Sequence, residues 1–105
     1  MHRYDPRSLA QRLLESPAPC LLDVREAWEW AICRIDGSLH MPMGLVQHRF
    51  EELDFSQDLV VICHHGARSE QVALFLEQRG HRRVANLEGG LAAWAAQVDT
   101  AMAVY

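Results

Sequence analysis

Leu59-Val60-Val61-Ile62 is an unbroken aliphatic run with no polar position in it. A strand with one wet face would alternate, so this one is expected to be covered on both faces, as inner strands of parallel sheets are. Cys20-Leu21-Leu22-Asp23-Val24 and Arg83-Val84-Ala85-Asn86-Leu87 read as further strands, and the segment from Ile35 to Pro42 as a turn with a short strand. Helical patterns lie between them. Asp5 is placed to cap a first helix with Pro6 at its first position and Ala10, Leu13 and Leu14 as its stripe, closed off by Pro17 and Pro19. A short helix runs through Ala27, Trp28 and Trp30, and Val46, Phe50 and Leu53 give another. Val72, Phe75 and Leu76 predict a helix starting near Ser69 and ending before Gly80; after the Gly89-Gly90 break, Leu91, Trp94, Ala95 and Val98 mark the last. Strands alternating with helices imply an α/β fold with a mainly parallel sheet. With 105 residues, half of them apolar, residues 1–105 form one domain. Residues 99–105 carry no structural signal and are expected to be ordered only if Val104 or Tyr105 docks on the body.

The chemistry concentrates where the aliphatic run ends, in Cys63-His64-His65-Gly66-Ala67-Arg68-Ser69. A cysteine between a strand and a helix faces the unpartnered N–H groups of the helix start, whose partial positive charge favours a thiolate or an oxyanion. Arg68 adds a full positive charge on the same loop, and both effects act to make Cys63 a nucleophile. Gly66 lets the loop curl so that several amides point at one sulfur. Arg68 reads as a clamp for an anionic substrate, since its planar fork fits a sulfonate, in preference to a surface salt bridge, and Ser69 as a helix cap that also donates to the loop. His64 and His65 read either as polar pocket walls or as solvent-facing loop residues.

This loop resembles that of rhodanese-like sulfurtransferases, in which a cysteine, a glycine three positions on and a basic residue two beyond precede a helix beginning with Ser or Thr. The resemblance extends to Asp23-Val24-Arg25-Glu26, to Ile35-Asp36-Gly37-Ser38 with Pro42, and to Asn86-Leu87-Glu88-Gly89-Gly90 with Trp94. The Gly-His pair usual before the Ile-x-Gly segment is Cys33-Arg34 here. The resemblance implies a three-layer fold with about five short strands flanked by helices. It also implies a two-step transfer in which Cys63 takes a sulfane sulfur from a donor such as thiosulfate, is held as a persulfide, and passes it to cyanide or to a small or protein thiol. His64, His65, Gly66, Ala67, Arg68 and Ser69 would form the substrate-binding loop, and no cofactor or metal would be needed. The alternative is a persulfide carrier or redox-responsive binding module without efficient small-molecule turnover. Phosphatase or arsenate reductase activity is less favoured: cysteine phosphatases carry five residues between Cys and Arg, and this chain carries four, His64 to Ala67.

A formal charge of −4 argues against nonspecific nucleic-acid binding, and no apolar stretch approaches the roughly 18 residues of a membrane span. Met1 to Pro6 runs straight into the first helical pattern without the apolar core of a signal peptide. Three cysteines without a C-x-x-C pair suit a reducing compartment, so the chain is expected to be cytoplasmic. Cys20 is expected in the core, while Cys33, near a turn, is a candidate for a resolving role. Asp23, Arg25 and Glu26 are expected to hold loops together. Trp28, Trp30 and Trp94 are expected as core or rim aromatics, Glu88 near the pocket, and His40, His48 and His81 at the surface.

Overall fold

A computed structural model describes all residues 1–105. Five parallel strands, β1 (His2–Tyr4), β2 (Cys20–Asp23), β3 (Leu39–His40), β4 (Leu59–Ile62) and β5 (Val84–Leu87), form one sheet in the order β1-β5-β4-β2-β3. The helices are α1 (Pro6–Arg12), α2 (Ala27–Ile32), α3 (Met43–Arg49), α4 (Ala67–Gln78) and α5 (Gly90–Gln97), with a 3-10 turn at Phe50–Glu52. No helix is long and apolar enough to cross a membrane.

The aliphatic run does what its pattern requires. Successive side chains of β4 point to opposite faces: Leu59, Val61 and Cys63 pack with Val46 of α3 and Val72, Ala73 and Leu76 of α4. Val60 and Ile62 pack with Leu9 of α1 and Leu91 and Trp94 of α5. Each buried aliphatic side chain contributes about 1.5–3 kcal/mol, so two apolar layers, one on each face, hold the sheet. Asp5 caps α1 as expected, its Oδ1 accepting the Ser8 N–H at 2.8 Å. Gly80, at φ +102°, ends α4.

The N-terminus holds a strand that the sequence reading assigned to no element. Residues 2–4 pair with Ala85 to Leu87 as an edge strand, too short to show periodicity and defined only by a partner some eighty residues away. Trp94 is core and Trp30 stacks on His40 at 4.6 Å, whereas Trp28, 60% exposed, lies outside the core with its ring edge-on to Tyr105 at 5.3 Å. Cys20 is only half-buried.

His81, expected at the surface, is fully buried beneath Phe55. Its Nδ1 accepts the Arg83 N–H at 3.1 Å, which puts the ring proton on a buried Nε2 without a partner. Burial, aided by nearby Arg83, pushes its pKa below the usual value. Above pH about 6.5 the ring is neutral in folded and unfolded chains alike; as pH falls below that, the unfolded chain takes up the proton first and stability is lost. Denaturant midpoints should therefore fall as pH drops below about 6.5, and the decline should be shallower in His81→Asn, which keeps an acceptor without a titrating ring.

Candidate active site

The loop is assembled by backbone contacts that exclude side chains. Gly66 takes φ +103°, and a Cβ there would lie 3.2 Å from the Gly89 nitrogen and 3.4 Å from the Leu87 carbonyl oxygen. Gly90 takes φ +59°, where a Cβ would overlap the Cys63 and His64 carbonyls. That closeness lets the Leu91 and Ala92 N–H groups at the start of α5 donate to the carbonyls of Cys63 (2.9 Å) and His64 (3.0 Å). From β5, buried Asn86 donates from Nδ2 to the Gly66 carbonyl at 3.2 Å.

Held in this way, the loop turns its donors onto the sulfur. The Gly66 N–H donates to Cys63 Sγ at 3.0 Å, and Ser69 Oγ lies 3.2 Å from both Sγ and the Gly66 carbonyl, sharing one proton between them. Gly66, not Ser69, is the N-cap of α4, which begins at Ala67. Ser69 is therefore a residue of the first turn, buried, with its hydroxyl spent on the loop. Cys63 itself is 1% exposed. The N-terminal end of the twelve-residue α4 adds its partial positive charge beside this sulfur.

Arg68 is not free. Its Nη1 and Nη2 donate to Glu29 Oε1 (2.7 Å) and Oε2 (2.9 Å) in a two-pronged pair. Glu29 is buried on α2, and it also accepts the Glu26 N–H on Oε1 (2.9 Å) and the Tyr105 hydroxyl on Oε2 (2.7 Å). Arg68 and these donors outweigh burial and hold the Glu29 carboxyl at about 2. Arg25 is fully buried and bonds Asp23 through Nε and Nη2, Glu29 and Tyr105 through Nη1, and the Cys33 carbonyl through Nη2. Asp23 and Arg25 thus hold neighbouring segments together as expected, while Glu26 stays exposed at the start of α2.

The two histidines differ. His64 lies between the His65 ring (4.0 Å) and the Tyr105 ring (4.3 Å, stacked), with Nδ1 buried and unpartnered; burial lowers its pKa. His65 and Ala67 are exposed, and neither histidine ring bonds the sulfur. No group of three or more His, Cys, Asp or Glu side chains is arranged to hold a metal ion. Cys33 is half-buried, packs against the α1–α5 layer and lines a cavity with His64, His65 and Tyr105, whereas the Cys63 side chain packs into the α3–α4 layer. Glu88 meets Asn86 and Arg3 rather than the sulfur.

Three residues of the site had been given no role from sequence: Glu29, Asn86 and Tyr105. Glu29 carried a signal, standing three residues after Glu26 where an N3 carboxylate reaches back to the helix start. Asn86, polar inside an apolar strand, carried a weaker one. Tyr105 carried none for the site, being named only as a residue that could dock the tail, which it does while Val104 stays exposed.

Residues 5–97 match the family model of the rhodanese-like domain. A protein from Allochromatium vinosum named sulfurtransferase is 40% identical over 90% of this chain and 89% of its own length. A protein from Actinobacillus pleuropneumoniae named thiosulfate sulfurtransferase GlpE is 29% identical over 81% of this chain and 79% of its own. The crystal structure of a rhodanese-related protein from Thermoplasma volcanium superposes with a TM-score of 0.86 at 28% identity, covering 93% of this chain and 94% of that one. Sheet order, loop and sequence match agree, and the chain belongs to the rhodanese-like domain family.

Proposed function

We propose that this protein is a sulfurtransferase in which Cys63 accepts and passes on a sulfane sulfur. The observation that carries the reading is the convergence of the Gly66 N–H and the Ser69 hydroxyl on Cys63 Sγ at the N-terminal end of α4. Donors aimed at a sulfur stabilise it as an anion, and they would do the same for a persulfide. In the first step the Cys63 thiolate attacks the outer sulfur of thiosulfate; the S–S bond of the donor breaks, sulfite leaves with the electron pair, and a Cys63 persulfide anion remains. In the second step cyanide or a thiolate attacks the outer persulfide sulfur and Cys63 departs as the thiolate. No net oxidation or proton is required in either step with these reactants.

The names of the relatives support sulfur transfer and thiosulfate as a donor to try first. Arg68, about one-third exposed, is the cation nearest in sequence for an anionic donor, and turning its Nη1 and Nη2 fork toward that donor means leaving Glu29. Steady-state turnover of thiosulfate and cyanide identifies a free-standing enzyme; loading of Cys63 followed by release only to a protein thiol identifies a persulfide carrier.

Incubation with thiosulfate without reductant should add about 32 Da, one sulfur, to the wild type and nothing to Cys63→Ser, read by intact-protein mass before and after reduction. A gain that persists in the serine variant would remove Cys63 from its role. Gly66→Ala forces a Cβ between the Gly89 nitrogen and the Leu87 carbonyl and displaces the amide on the sulfur. Its sulfur-loading rate should drop by roughly a hundred-fold, as for loss of one oriented donor, with the far-UV spectrum retained.

A further inference from the structure

Tyr105 lies beyond the residues that match the family, 5–97, yet its side chain sits within the charged network of the site. Its ring stacks on His64 at 4.3 Å and meets Trp28 edge-on at 5.3 Å. Its phenol oxygen accepts from Arg25 Nη1 at 3.0 Å, which leaves the phenol proton directed at Glu29 Oε2, 2.7 Å away. Burial and the Glu29 contact push the phenol up to about 12, so that proton stays in place at any working pH.

The donor inventory of Glu29 gives this arrangement a purpose. Oε1 takes Arg68 Nη1 and the Glu26 N–H; Oε2 takes Arg68 Nη2 and the Tyr105 hydroxyl. If Arg68 turns toward a bound anion, each oxygen keeps one donor. Without the phenol, Oε2 would be a buried carboxylate oxygen with none, a state penalised heavily enough to keep Arg68 where it is. Arg25 gives the Glu29 carboxylate no donor here: its Nε and Nη2 are on Asp23, and its Nη1 is on the Glu29 backbone carbonyl and the Tyr105 oxygen.

We propose that Tyr105 is a positioning residue for anionic donors: by holding Glu29 it frees Arg68 to leave its ion pair and bind the donor's negative charge. The inference rests on Cys63 being the nucleophile and Arg68 its donor contact.

The test compares alkylation of Cys63 by iodoacetate, an anion, and by iodoacetamide, its neutral counterpart, followed on the Cys63 peptide by mass spectrometry. The ratio of the two rates within each variant cancels any general change in thiol reactivity. Tyr105→Phe, which keeps the ring on His64, should lower the iodoacetate-to-iodoacetamide ratio roughly ten-fold, as for loss of one hydrogen bond to a charged group. Arg68→Ala should lower it as well, and adding Tyr105→Phe to Arg68→Ala should lower it no further. An unchanged ratio in Tyr105→Phe, or an equal drop in the Arg68→Ala background, would overturn the inference while leaving Cys63 the nucleophile. A wild-type Cys63 that reacts with neither reagent would overturn both.

Discussion

Gly90 brings two stretches of backbone closer than any side chain would allow, Gly66 brings them to a tight fit in a left-handed conformation, and the geometry of the sulfur follows from that approach. Two amides of α5 capture the carbonyls of Cys63 and His64, so those carbonyls are held by α5 while the Gly66 amide turns onto the sulfur. A loop with its carbonyls facing the other way would repel an anionic sulfur. The helix usually credited with stabilising a strand-end nucleophile is the one that follows it. Here α4 supplies the field, but α5, from the next strand-to-helix unit, fixes the loop's orientation.

Charge around this cradle is arranged in matched pairs. Asp23 with Arg25 and Glu29 with Arg68 cancel, so the entrance presents no net charge from these four groups even though two of them are guanidinium ions. A buried pair contributes little net stability compared with an apolar substitute, yet removal of one partner is costly, by about 3–5 kcal/mol. The pairs therefore fix geometry more than they add stability: Arg25 ties together the end of β2, the helix α2, the Cys33 carbonyl and Tyr105.

Much of the frame could be read directly from the residues, because short inner strands and a glycine-rich loop leave local signatures. The Leu59–Ile62 run, the Asp5-Pro6 start and the Gly89-Gly90 break each express a constraint felt by consecutive residues. What escaped was decided by distant partners. His2–Tyr4 becomes a strand only because β5 offers a free edge, and His81 is buried because the turn after α4 folds beneath Phe55. Ser69 suggested a helix start by residue preference, but Gly66 can take the left-handed conformation the cap adopts, and so the helix begins two residues earlier. Arg68 was legible as a cation that clamps an anion or joins a salt bridge, but not its partner, since Glu29 lies on another element. Tyr105 is ordered by a buried arginine and a buried carboxylate that nothing in residues 99–105 announces.

The two strands at the borders of the sheet, β1 with three residues and β3 with two, are the shortest in the fold. Each presents too few free N–H and C=O groups to template pairing with another chain, so the sheet resists edge-to-edge aggregation without needing prolines or bulges there. The same shortness grades the protein's resistance to opening. Border amides are expected to exchange with solvent through small local fluctuations, and those of β4, enclosed on both sides by β2 and β5, to exchange only when the whole domain unfolds, which places Cys63 at the end of what should be the most slowly exchanging segment.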